Sequence, residues 1–427
     1  MISIQLKRFF VIIVSSLTVL VLNAQSKKYQ GQAPITIVST ESKPVQKQWK
    51  GIFDVSDDQV YFSNDFDGGR LNGLIKTNDS TYTALITSEN TPVNMSPWYA
   101  FKVWSKEPKI INLILAYQDK AKHRYYPKLS NDGINWKQLD SMSYIEYEKG
   151  DEDFGINSLP IRVQMRLETS QDTMWIASQE LQTSKHVSEW SETLAKEKYI
   201  HKKEIGRSRE HRPMEALTIG KNKTKRMVIV ISRQHPPEVT GYLAMKSFVE
   251  TIGGDTKLAK RFRRKFTTYV VPLMNPDGVD KGHWRHNAGG VDLNRDWAQF
   301  NHPETRAVRD FMAQRVKETN GKFYFGIDFH STWDDIYYTL DKQFIGNMPG
   351  LVPDWLTAIK SEMKGYDPNI RPSDKIEPTA VSRNFFFVAH GAEALVFEIG
   401  DETDRGFINE KGRISAENLM RLMLDRL

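Results

Sequence analysis

The 427-residue chain contains no cysteine. This excludes a disulfide framework, a lipid-bearing cysteine near the amino terminus and any thiolate metal site. A metal ion here would have to be held by histidine and carboxylate. A continuous apolar run long enough to cross a bilayer, ~20 residues, is also lacking. Phe9 to Leu22 falls well short of that, and no other segment approaches it. Nor does one sign of charge dominate, since 59 Lys and Arg face 53 Asp and Glu. That balance does not argue for a nucleic-acid partner, although it suits an anionic substrate slightly. Basic clusters such as Lys221 to Arg226 and Lys260 to Lys265 read as solvated faces.

At the start, Lys7-Arg8 precedes the apolar run, and Asn23-Ala24 closes it before polar Gln25-Ser26. A basic n-region, an apolar h-region and a small residue read as a secretory signal peptide spanning 1–24. Its removal takes away two cations and leaves a formal charge of +4 instead of +6. The expected product is secreted or periplasmic, with no stable membrane span. The length favours two domains: a linker over 25–48, an accessory domain over 49–183 and a catalytic domain over 184–427.

Residues 49–183 read as β structure. Thr81 to Ser88, Trp98 to Ser105, Lys109 to Tyr117 and Arg162 to Glu168 are short runs rich in β-branched and aromatic residues. Turn clusters such as Asp67-Gly68-Gly69 and Asn131-Asp132-Gly133 separate them, which predicts a small antiparallel sandwich. From Ser184 the pattern changes. Residues 185 to 200 have helical period, and a hairpin-like pair follows. Apolar strands at Val228 to Ser232, Thr267 to Leu273, Phe323 to Phe329 and Ala394 to Ile399 then alternate with helical stretches at Val239 to Thr251, Glu304 to Glu318 and Asp354 to Met363. The alternation predicts an α/β fold, a mixed and largely parallel sheet with helices on both faces.

Functional residues of such a sheet gather at the carboxyl ends of its strands. His235-Pro236-Pro237-Glu238 follows the first strand and places an imidazole and a carboxylate on one strand-to-helix loop. His330 ends another strand, and Glu398 lies in the apolar run Ala394 to Ile399. A carboxylate flanked by Val396, Phe397 and Ile399 is costly to bury unless a cation or proton transfer needs it. Each feature alone has a bland reading, such as a solvent-facing glutamate on a one-sided strand. Their joint occurrence points to a metal hydrolase.

With Asn275-Pro276-Asp277-Gly278, Arg285, Asp292-Leu293-Asn294-Arg295, His330-Ser331 and Phe397-Glu398 added in that order, the set resembles the zinc metallocarboxypeptidases of the M14 family. Ile205-Gly206-Arg207-Ser208 and His211-Arg212-Pro213 are similar to that family's opening hairpin. The preceding β region, with Asp65-Phe66-Asp67-Gly68-Gly69, resembles the amino-terminal domain of the cytosolic carboxypeptidase subfamily. The resemblance implies one Zn2+ held by His235, Glu238 and His330, with Asp292 behind His235. It implies that Arg285 polarises the scissile carbonyl, and that Asn294 and Arg295 grip the terminal carboxylate of a peptide substrate. Glu398 would be the general base toward a zinc-activated water. An ungapped match of the Glu398 strand places Arg383 at the pocket for the C-terminal side chain, where it would favour acidic residues.

Two departures accompany the resemblance. The family's usual tyrosine has no counterpart in Lys375 to Val381, and Tyr366 is the nearest candidate. Pro237 stands where other residues could contact substrate, and its backbone has no N–H to donate. Among the other histidines, His283 and His286 flank Arg285 and belong to its loop, His302 and His390 read as structural or exposed, and Ser331 has no separate base to make it a nucleophile. Two other functions compete with the peptidase. One is an amidase or deacylase acting on cell-wall peptides or acylated amino acids. The other is a glycan- or protein-binding module carrying a decayed hydrolase, suggested by Ser130-Asn131-Asp132-Gly133 and Trp136.

Overall fold

The strand Arg226–Ser232 is buried along nearly its whole length and shows why the second half folds as it does. Val228 and Val230 point into one core with Tyr242, Phe248 and Leu419. Met227, Ile229 and Ile231 point into another with Val308, Phe311 and Phe386. A strand covered on both faces has no room for polar alternation, so it reads as a continuous apolar run. Helices Val239–Gly253, Leu351–Glu362 and Arg405–Asp425 supply the first core. Pro303–Thr319 and Ser382–His390 supply the second.

This computed structural model describes residues 28–427 apart from 33–34, 56, 58, 150–158 and 222–223. The signal peptide expected over 1–24 lies outside the described residues. The large sheet has eight strands, in the order Ile200–Arg207, Pro213–Ile219, Thr267–Val271, Arg226–Ser232, Lys322–Thr332, Glu393–Gly400, Ile336–Leu340 and Ile370–Ser373. The four central strands run parallel. The hairpin Ile200–Arg207 and Pro213–Ile219 joins one side antiparallel, and Ile336–Leu340 joins the other side antiparallel. The α/β architecture is therefore the one expected, with helices on both faces.

Ahead of it lie two further sheets. One has six strands, all paired antiparallel, with Ala100–Ser105 and Met174–Ala177 at its centre. The other has five: Gly73–Asn78, Thr81–Ile86, Lys109–Tyr117, Pro160–Thr169 and Tyr144–Lys149. Here Thr81–Ile86 runs parallel to Lys109–Tyr117, a detail the antiparallel expectation did not include. The sheets share a core of Phe62, Phe101, Leu113, Leu115 and Met165. Trp284, from the distant loop that also carries Arg285, is fully buried in that same core.

Candidate active site

The loop after Arg226–Ser232 begins with a strained residue. Arg233 has φ 56°, a left-handed conformation uncommon for a side chain of its size. Its guanidinium donates to Pro236 O at 2.7 Å and lies over the Tyr242 ring, which holds the turn that carries His235 and Glu238. Asn275, capping the short helix Pro276–Asp280, donates from its amide to Gln234 O at 3.1 Å and so ties the next loop to the first. On the far side, helix Val239–Gly253 passes very close to the strand Lys322–Thr332. A Cβ on Gly241 would fall 2.3 Å from His330 O, so only glycine lets the helix approach.

These constraints bring His235, Glu238 and His330 together, all buried. His235 Nδ1 is 2.8 Å from Glu238 Oε1 and His330 Nδ1 is 2.7 Å from Glu238 Oε2. The two Nδ1 atoms are 3.2 Å apart. Donors on a tetrahedral zinc with bonds of about 2.0–2.1 Å are separated by about 3.3 Å. The outward nitrogens are both fixed by carboxylates: His235 Nε2 by Asp292 Oδ1 at 2.8 Å, and His330 Nε2 by Asp328 Oδ2 at 2.9 Å. That support leaves each Nδ1 to face the common centre. With no thiol in the chain, two imidazoles and one carboxylate converging in this way fit zinc.

Asp292 has a second task. Its Oδ2 accepts from Arg285 Nε at 2.8 Å, so one carboxylate orients both His235 and Arg285. Burial pushes its pKa up, but Arg285, His235 and Arg295 outweigh that and hold it well below the usual carboxylate range. Glu398 lies beside His330 in register on the neighbouring parallel strand. Its Oε2 is buried with no hydrogen-bond partner among the described residues. Burial raises its pKa to about 7, with Glu238 pushing the same way and His330, His235 and Arg285 opposing.

A cavity of about 150 Å³ collects His235, Glu238, Arg285, Asn294, Arg295 and Glu398. Asn294 Oδ1 accepts from Ser382 N at 3.1 Å. Arg295 donates to Asn294 O at 2.7 Å and to Gln32 Oε1 at 3.2 Å. Arg383 is not among the residues lining the cavity. It is 4% exposed and donates to Thr339 O and Asn384 Oδ1, both at 3.1 Å. Burial lowers its pKa only to about 10, so it stays charged at neutral pH. Its contact strand does reach the cavity, through Tyr338.

Several lining residues come from outside the second half of the chain and carry no sequence signal. Tyr29 and Gln32 belong to the segment before the β sheets, and Gln32 N donates to the Tyr338 hydroxyl at 3.1 Å. Arg124 reaches in from the β region with Nε on Asp401 Oδ2 at 2.8 Å and its guanidinium over Trp333. Asp328, which holds His330, reads in the sequence as one polar residue in a core strand. Tyr366 is not at the site, because its hydroxyl donates to Tyr337 at 3.0 Å in the core beside Phe407. Tyr29 and Tyr338 are the tyrosines of the cavity. Four other histidines have structural partners: His283 Nδ1 lies 2.9 Å from His286 O, His286 binds Asn90 and His302 binds Thr40 O, both at 2.7 Å, while His390 packs on Phe323. Ser331 Oγ accepts from Gly241 N at 2.8 Å and is committed to packing.

A parallel-centred sheet carries, at its strand ends, a His-Glu-His cluster able to hold a metal ion, with a carboxylate beside it. The chain belongs to the zinc carboxypeptidase family, M14, whose pattern matches residues 187–417, and its cofactor is zinc. Mouse cytosolic carboxypeptidase 3 is 23% identical over 308 residues, covering 66% of this chain and 30% of that protein. An uncharacterised protein of Zymomonas mobilis is 25% identical over 256 residues, covering 58% and 62%. The chain thus spans less than two thirds of either relative. Among solved structures, a metallo-carboxypeptidase from Burkholderia cenocepacia superposes with TM-score 0.67 at 17% identity, covering 86% of this chain and 98% of that one. One from Pseudomonas aeruginosa, bound to (2-guanidinoethylmercapto)succinic acid, gives 0.66 at 20%, covering 86% and 100%. These show a shared fold that extends well beyond residues 184–427.

Proposed function

We propose that this protein is a carboxypeptidase that removes the last residue of a peptide with a free C-terminal carboxylate. The observation that carries this reading is one cavity in which His235 and Glu238 of the metal cluster meet Glu398, Arg285, Asn294 and Arg295. His235, Glu238 and His330 hold the metal. When bound, zinc supplies a Lewis acid that polarises an amide carbonyl and brings the pKa of water down toward ~7. Arg295, with Asn294, takes the terminal carboxylate and orients the peptide. Arg285, anchored by Asp292, donates to the scissile carbonyl oxygen as negative charge develops on it. Glu398 removes a proton from the attacking water and delivers it to the departing amine, and its raised pKa suits both steps.

Finer readings belong to the same proposal. Residues 49–183 act as an accessory domain beside a catalytic domain of 184–427, and the leader of 1–24 directs the protein to a secreted or periplasmic compartment. Arg383, charged and adjacent to the cavity strand, favours substrates with an acidic C-terminal residue.

The decisive variant is Glu398→Gln. It should keep stoichiometric zinc and bind a peptide with near-normal affinity, yet lose roughly 10²- to 10⁴-fold in kcat. Near-normal turnover in that variant would place the base elsewhere.

A further inference from the structure

The loop bearing Arg285 is built on a carboxylate from the other half of the molecule. Glu89 follows the strand Thr81–Ile86 and is completely buried. Its Oε2 accepts from Trp284 N at 2.7 Å, and its Oε1 accepts from Arg285 N at 3.0 Å and His286 N at 2.6 Å. Three consecutive backbone N–H groups thus converge on one side chain. Neighbouring contacts fix the same loop: Asn90 Oδ1 pairs with His286 Nδ1, Asn90 Nδ2 donates to Gly290 O at 3.0 Å, and Trp284 Nε1 donates to Trp98 O at 3.1 Å. Arg70 Nη2, buried on the other side, is 3.6 Å from Glu89 Oε2. Burial would raise the pKa of Glu89, but His283, His286, Arg70 and the His286 N–H bring it down to about 2. It is therefore ionised at neutral pH.

The loop has no regular secondary structure between the helix Pro276–Asp280 and the short turn Leu293–Arg295. Without a partner, its buried N–H groups would each carry a desolvation penalty, and other backbone conformations would compete. The Arg285 side chain is tied to Asp292 at its Nε, and its backbone to Glu89.

We infer that Glu89 is a positioning residue for the reaction, holding the Trp284–His286 backbone so that the Arg285 guanidinium meets the scissile carbonyl. The β sheets are in that case part of the catalytic apparatus, and residues 184–427 alone lack the template for their own oxyanion donor. Glu89 never touches substrate. It acts through Arg285, so the inference rests on the role proposed for Arg285 above.

A double-mutant cycle on the full zinc-loaded chain tests it. The probe is an N-acetylated tripeptide ending in glutamate or leucine, whichever turns over faster. Glu89→Gln should lower kcat roughly 100-fold, the scale of a misplaced catalytic group, with little change in KM and one zinc per chain. Glu89→Asp, which keeps the charge, should recover part of that loss. Hydrogen exchange at the Trp284, Arg285 and His286 amides should accelerate in Glu89→Gln. In an Arg285→Ala background, the Glu89 substitution should cost nothing further in kcat. Equal kcat losses in both backgrounds would overturn the inference, since Glu89 would then only support the fold. If Glu89→Gln does not fold, the Glu89→Asp arm of the same cycle decides by the same criterion. Should Arg285→Ala itself leave kcat unchanged, the role of Arg285 falls, and with it this inference.

Discussion

Asp328 Oδ2 lies 2.9 Å from His330 Nε2, so a carboxylate two residues upstream on the same strand fixes the imidazole that faces the metal centre. The same oxygen accepts from Gln234 Nε2 at 2.6 Å, and Asp328 is fully buried. Asp328→Asn keeps the shape but loses the charge that orients and enriches the ring. Zinc affinity should fall about 10- to 100-fold, measured by equilibrium dialysis against a competing chelator. Unchanged affinity would mean that strand packing alone orients His330.

Gln32 Oε1 occupies a donor of Arg295 that, on the proposed reading, binds the terminal carboxylate of a substrate. The Gln32→Ala variant frees that donor. A hydrogen bond of this kind contributes about 0.5–1.5 kcal/mol net, so KM should fall roughly 2- to 10-fold with kcat unchanged. A rise in KM would instead make Gln32 a substrate contact.

On the proposed reading, Arg383 sets the preference for the C-terminal residue. Among peptides ending in Glu, Leu and Lys, the Glu peptide should show the highest kcat/KM, and Arg383→Ala should erase its lead. Equal rates on all three would leave Arg383 as a support for Thr339 O, to which it donates.

Glu393 gives a pH signature in stability. Burial lifts its pKa from 4.5 to about 7, against hydrogen bonds from the Gly346 and Met348 backbone. The unfolded chain releases this proton near 4.5, while the native chain keeps it until about pH 7. Between those values the native state holds more protons, so the contribution of Glu393 to stability declines as pH rises. Glu393→Gln keeps the acceptor for Gly346 N and removes the titration. The difference in melting temperature, variant minus wild type, should therefore grow from pH 4.5 to 7.5. A difference independent of pH would show that Glu393 titrates normally in the folded protein.

What the sequence alone determined is local. Strand runs buried on both faces announced the parallel centre of the sheet, because burial on two sides demands unbroken apolar residues. His235 and Glu238 share one loop, and Asp292, Asn294 and Arg295 share another, so their spacing could be read directly. His330 and Glu398 stood out as polar residues in apolar strands, and parallel pairing in register sets them side by side. Tertiary structure alone decided which other residues join them. Asp328 shares a face with His330 by strand alternation, but only the packed fold buries it beside Gln234 and Ser382 and so marks it out from any other polar residue in a core strand. Glu89, Arg124 and Gln32 reach the site across separations of 196, 277 and 263 residues to Arg285, Asp401 and Arg295. Tyr366, near in sequence, went to the core instead. Periodicity and spacing report only neighbours along the chain, whereas a buried carboxylate or guanidinium is placed by whichever distant donors or acceptors the packed fold brings within hydrogen-bonding reach.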